Sequence, residues 1–159
     1  MRLDVVVVGR LREAYLRTGI EDYARRLRRY VPLEVVEVRE VSLPPGASAA
    51  EVEAAKAREG EEILGRIGGD TLTVALDERG ELFTSRQLAE WLARLTAGGA
   101  SRAAFVIGGP RGLAPSVLER ADLRLALSRL TFPHELCCLI LLEQLYRAFK
   151  ILRREPYHY

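Results

Sequence analysis

Residues 105–113, "FVIGGPRGL", carry three apolar side chains straight into a loop that is almost bare. Glycine there lets the backbone take unusual dihedrals, or lets a ligand lie close against it. The loop lacks the Lys-Ser/Thr pair of a phosphate-binding P-loop and does not fit G-x-G-x-x-G. No acidic residue stands near the end of the next strand to hold a ribose. Two readings stay open on the loop alone: a ligand cradle, or a tight strand-to-helix turn. A second group with chemical potential lies near the carboxyl end, where Glu143, Tyr146 and Arg147 are followed by Pro156-Tyr157-His158-Tyr159. Aromatic rings beside a histidine and an arginine suit a site that stacks on a base and holds phosphate. Glu143 and Arg147 are also spaced as an ordinary i,i+4 surface pair, and a terminus of this kind often frays. His134 precedes Cys137 and Cys138 by three and four residues, but a zinc site needs a fourth ligand and the only other histidine is His158. The cysteines therefore read as buried thiols, and no metal is expected.

The chain that must position these groups has 159 residues, the length of one domain spanning 1–159. At 48% hydrophobic and 29% charged it has the balance of a soluble globular protein. The apolar run at the amino end is cut by Gly9 and Arg10, too short for a secretory leader. The longest later run, Leu136 to Leu142, is far below a membrane span. A cytoplasmic protein with no membrane association is expected. Net charge is only +2, yet residues 1–31 hold eight basic against four acidic side chains and residues 34–62 hold three against eight. Of the 24 basic residues, 22 are arginine, the better fork for phosphate.

Periodicity gives alternating strands and helices. "DVVVV" (4–8) reads as a strand buried on both faces. Residues 20–30 place Ile20, Tyr23, Leu27 and Tyr30 on one helical face. Residues 32–41 alternate as a more exposed strand, and "SLPPGAS" breaks the chain. Ser48 with Glu51 forms a capping box that opens a polar helix to about Ile67. The second half follows with a strand at 71–77 and a helix after a second capping box, Thr84 with Gln87. A strand over 102–109, a short helix from Pro115 to Ala121 and a strand over 123–128 come next. A last helix has Pro133 in its first turn and runs to about Arg154. Five strands alternating with five helices predict an α/β domain with a mostly parallel sheet. The last helix is apolar around most of its circumference, which predicts self-association.

In a parallel sheet ligands bind beyond the carboxyl ends of the strands. Leu76-Asp77, Gly108-Gly109-Pro110 and Leu127 to Phe132 end three strands of the second half. If those strands are neighbours, the three loops form one pocket wall.

Taken together, "VIGGPRG" after a strand, "LSRLTFPH", "LLEQLYRAFKI" and the terminal "PYH" resemble the ribosomal RNA large subunit methyltransferase H family, of the SPOUT class. The resemblance covers essentially the whole chain, including "VVVVGRLREAYLRTGIEDYARRL" at the front. It implies a SPOUT-type α/β knot, with the carboxyl-terminal part threaded into a trefoil knot against the usual rule. It implies a homodimer with its site at the interface, S-adenosylmethionine as methyl donor, and methylation of N3 of a pseudouridine in 23S ribosomal RNA in assembled ribosomes; no DNA is involved. By motif, Leu76, Gly108, Gly109, Leu127, Ser128, Arg129, Leu130, Thr131 and Phe132 would bind the donor. Arg147 would hold phosphate or polarise a base carbonyl, Tyr157 and His158 would frame the base, and Glu143 or His158 would take the N3 proton. The chain departs from the family at Cys138, where members often carry arginine, and at Tyr159, where a basic residue is common. The rival reading is a non-catalytic dimeric module that binds nucleotide or RNA through the same loops.

Overall fold

The computed structural model describes all of residues 1–159. Strand β1 (Arg2–Val8) leads to helix α1 (Ala14–Leu27), β2 (Leu33–Val38), α2 (Ala49–Ile67), β3 (Leu72–Leu82), α3 (Ser85–Ala97), β4 (Arg102–Ile107), α4 (Pro115–Arg120), β5 (Leu123–Ala126) and α5 (His134–Leu152). The five strands form one sheet in the order β2-β1-β4-β3-β5, and every pair is parallel.

The run of apolar residues in β1 follows from its place in the sheet. Side chains alternate between faces, so Leu3, Val5 and Val7 join the larger core with Phe105, Leu141, Leu142 and Leu145. Val6 and Val8 join a smaller core on the other face with Val106, Ile63, Ile67 and Val117. Helices α1, α3 and α5 cover the first face, and α2 and α4 the second. Both sequence-predicted capping boxes close. Ser48 Oγ accepts from Glu51 N at 3.2 Å and Thr84 Oγ1 accepts from Gln87 N at 3.1 Å, with the reciprocal bonds present.

Several boundaries differ from expectation, each for a tertiary reason. Helix α1 starts at Ala14 rather than near residue 20. Gly19, unfavourable in an isolated helix, is seated there because a β-carbon would come 3.0 Å from Leu139 Cδ1 on α5. Pro133 is the cap of α5 rather than part of its first turn, and the helix ends at Leu152. Arg154 then takes φ 55°, which turns the tail back along α5.

The apolar circumference of α5 has a partner mostly within the chain. Cys138, Leu141, Leu142, Leu145 and Ala148 are completely buried. Leu136, Leu139 and Ile140 are half-buried and Leu152 is exposed, so the surface left for a second copy is narrower than the sequence pattern predicts.

Strand β3 runs to Leu82, five residues past the expected end, because it pairs with β5 on both sides of an irregularity. Leu76 stands opposite Leu125, and after the break Glu81 opposes Leu125 and Leu82 opposes Ala126. The intervening Gly80 lies so close to β5 that a β-carbon would sit 2.5 Å from the Arg124 carbonyl oxygen. Gly80→Ala is therefore expected to force the two strands apart and cost about 1–3 kcal/mol in denaturant unfolding, the range for overpacking. Gly69→Ala meets nothing within 4 Å and should stay within about 0.5 kcal/mol of the parent protein.

Candidate active site

The break in β3 and the carboxyl ends of β4 and β5 surround a cavity of about 710 Å³, within the range that holds a drug-sized ligand or cofactor. Leu76, Asp77, Glu78 and Arg79 form one side, Ile107 to Leu113 the second, and Leu125, Leu127, Ser128 and Leu130 to His134 the third, with Cys137 at the base of α5. All three loops singled out from the sequence thus meet at one cavity. Of the nine residues expected to bind the donor, eight line it. Arg129 does not; its Nη1 donates to the Glu78 carbonyl at 2.6 Å.

The glycines of the second loop answer first to the loop's own turn. Gly112 N donates to Gly109 O at 3.0 Å, and Gly112 has φ 84°, a conformation that suits glycine. A β-carbon at Gly108 would sit 2.9 Å from the Gly112 carbonyl carbon, and one at Gly109 would sit 3.3 Å from Val8 Cγ1. The tight turn makes the loop bare, and the bare loop then offers backbone groups to the cavity.

Side chains outside the nine expected donor residues tie the walls to one another and to neighbouring segments. Glu78 accepts a hydrogen bond from Thr131 Oγ1, joining the first wall to the third. His134 Nε2 lies 3.0 Å from the Arg10 carbonyl oxygen. Behind the glycine loop Glu59 is buried and accepts from Val41 N at 2.9 Å. Burial pushes its carboxyl above the usual range, against the opposing pull of that N–H.

A second cluster gathers on α5 and the returning tail. Glu143 Oε1 accepts from Arg147 Nε at 3.1 Å and from Arg147 Nη2. It also accepts from the Tyr157 hydroxyl at 3.1 Å, while Glu143 Oε2 accepts from Gln144 Nε2 at 2.7 Å. Arg147 Nη1 lies 3.2 Å from His158 Nδ1. Arginine only donates, so Nδ1 accepts here and the ring proton sits on Nε2. Tyr157 packs edge-on against Tyr146 at 4.9 Å and lies under the Arg147 guanidinium at 4.7 Å. Its hydroxyl is also 3.3 Å from that of Tyr23. Burial, then the bonds to Tyr23 and Glu143, raises the Tyr157 hydroxyl above its ordinary value, so it stays a proton donor. The tail is packed rather than frayed. The i,i+4 pair that the spacing allows does form, but as the floor of a larger polar cluster.

Glu143, Arg147, Tyr157 and His158 are brought together, yet none of them lines the cavity. Arg147 stands ten residues beyond Cys137 on α5, about 15 Å along a helix. The cavity and the polar cluster are two separate places on one chain.

Residues 1–158 match the family described as "Predicted SPOUT methyltransferase". The chain is 52% identical to the ribosomal RNA large subunit methyltransferase H of Pelotomaculum thermopropionicum, over 99% of this chain and 98% of that protein. It is 46% identical to the protein of the same name from Acetivibrio thermocellus and 45% identical to that from Carboxydothermus hydrogenoformans. Each of these alignments spans 99% of both chains.

The two thiols in the first turns of α5 allow a direct check of the geometry. Burial pushes Cys137 up to about 11 and Cys138 up to about 12, so both are thiols rather than thiolates at neutral pH. Alkylation by iodoacetamide, followed by mass spectrometry, should be slow at pH 7 and rise with pH through 9.5 without levelling. It should fall on Cys137, which borders the cavity, before the fully buried Cys138. Rapid labelling of Cys138 in the folded protein would contradict this packing.

Proposed function

The chain belongs to the SPOUT methyltransferase family, and on that premise we propose that it transfers a methyl group from S-adenosylmethionine to N3 of a pseudouridine in 23S ribosomal RNA within assembled ribosomes. The observation that carries the reading is the cavity at the break in β3 and the carboxyl ends of β4 and β5, whose size suits the donor. Its lining also fits: leucines for apolar parts, and backbone N–H and C=O groups of the bare loop for the adenine edge. The names of the relatives, all large-subunit ribosomal RNA methyltransferases, supply the substrate class.

Bound there, S-adenosylmethionine supplies an electrophilic methyl group on a sulfonium, taken in line by the ring nitrogen as the carbon–sulfur electron pair returns to sulfur. The protein's task is to align the two and accept the N3 proton. Glu143 and His158 remain the candidate bases. Arg147 bonds both in the resting cluster and Tyr157 bonds Glu143, so docking of the RNA base must exchange some of these bonds. Arg147, carrying a fixed charge between them, is the group to meet a phosphate or base carbonyl.

We further propose a homodimer whose site lies at the interface, with the tail cluster of one protomer facing the cavity of the other. The separation of the two places on one chain motivates this, together with the half-buried Leu136, Leu139 and Ile140 and the exposed Leu152 on α5. The trefoil knot and a cytoplasmic location, where ribosomes are found, belong to the same reading.

Incubation of ribosomes with labelled S-adenosylmethionine tests the activity, and calorimetry tests donor binding. Deletion of residues 156–159 and Arg147→Ala should each keep donor affinity and dimer mass while methyl incorporation falls at least about a hundredfold, the scale for losing an orienting or acid–base group. His158→Ala, which leaves the packing of Tyr157 intact, should behave alike if the histidine is the base. Donor and ribosome binding without methyl transfer would make the chain a dimeric binding module instead.

A further inference from the structure

Helix α1 has no cap of its own: Glu13 stands at its start without a side-chain bond, and no acidic residue occupies its first turn. A helix start leaves N–H groups that need partners, and here a partner comes from the far end of the chain. Glu135, in the first turn of α5, is buried. Its Oε1 accepts from Arg12 N at 2.6 Å and its Oε2 from Glu13 N at 3.0 Å. A buried carboxylate is tolerated only when its oxygens are engaged, and both are. The net effect on its proton affinity agrees. Burial raises it, but the two N–H bonds, with His134 and Arg17 nearby, outweigh burial and hold the carboxyl below its ordinary value.

The neighbouring His134 repeats the connection through Nε2 and the Arg10 carbonyl. Gly9 makes room for it, since a β-carbon there would lie 3.0 Å from His134 Nε2. The segment that receives these bonds is itself fixed. Gly9 N donates to Val38 O at 2.8 Å, Leu11 N to Glu37 Oε1 at 3.1 Å, and Arg17 Nε to Leu11 O at 2.8 Å. His134 lines the cavity directly after Thr131, Phe132 and Pro133. The other end of that wall is held only by the exposed bonds of Glu78 with Thr131 and Arg129, a weak kind of tie.

We infer that Glu135 is a positioning residue for the methyl-donor site: through its bidentate grip on the Arg12 and Glu13 amides it latches the 131–134 wall of the cavity to the β1–α1 segment. This rests on the reading of the cavity as the S-adenosylmethionine site. Glu135 touches no donor. It sets the fraction of molecules whose wall stands in the binding position, and apparent affinity falls in proportion to that fraction.

The test uses the full-length protein with S-adenosylmethionine as the ligand. Glu135→Ala should raise the donor Kd and KM about tenfold and leave kcat at saturating donor within about twofold. Glu135→Gln, which keeps one acceptor oxygen, should fall between Ala and the parent. Thr84→Ala is the control. It removes the side-chain cap of α3, a loss of stability remote from the cavity, and should leave donor KM unchanged. Hydrogen exchange gives a readout that needs no donor: Glu135→Ala should release amides in both 10–13 and 128–133, and Thr84→Ala in neither. An unchanged donor Kd in Glu135→Ala, or an equal rise in Thr84→Ala, overturns the latch. If the parent protein binds no S-adenosylmethionine, the reading of the cavity fails, and the paired release of the two segments still decides whether the latch exists.

Discussion

Two strands with no exposed face, β1 and β4, impose the plan of this molecule. Val5, Val7, Phe105 and Val106 are all fully buried, so helices must cover the sheet on both sides, and parallel strands need a crossover for each return. Those crossovers bring every strand's carboxyl end to one edge. The loops there leave the sheet and become the walls of the cavity, with Leu113 also joining the smaller core. The most buried part of the sequence thereby fixes where the least regular part gathers.

Helix α5 shows how one element serves both needs. Its buried side, Cys138, Leu141, Leu142 and Leu145, completes the larger core. Its other positions hold two carboxylates eight residues apart, with contrasting partners. Glu135 accepts only backbone N–H groups of a distant segment, which suits a fixed joint. Glu143 accepts from the side chains of Arg147, Tyr157 and Gln144, any of which can rotate away, which suits a group that must change partners. Cys138 sits between them in the sequence. In this chain it is fully buried, and no anion contact is made from that position.

The packed tail has a comparable logic. Lys150 bonds Glu155 at 2.7 Å, and Tyr30 bonds the same carboxylate at 2.5 Å. These contacts secure the reversal at Arg154 and deliver Tyr157 and His158 to Arg147. A terminus held at that many points has a definite conformation to offer a substrate or a second protomer.

What the sequence determined by itself is whatever depends on neighbours a few residues away. The capping boxes at Ser48 and Thr84 were readable because donor and acceptor are three residues apart, and the Glu143–Arg147 pair because one helical turn separates them. The buried strands were readable because apolar runs survive only where both faces are covered, and the meeting of three loops followed from the parallel α/β pattern. Tertiary structure alone decided the strand order, the extension of β3 along β5, the helical place of Gly19 and the tight turn that keeps Gly108 bare. It alone joined Glu135 to amides 122 and 123 residues away and Glu78 to Thr131. Such partners leave no period or spacing in the chain, because the distance between them is set by how whole elements pack.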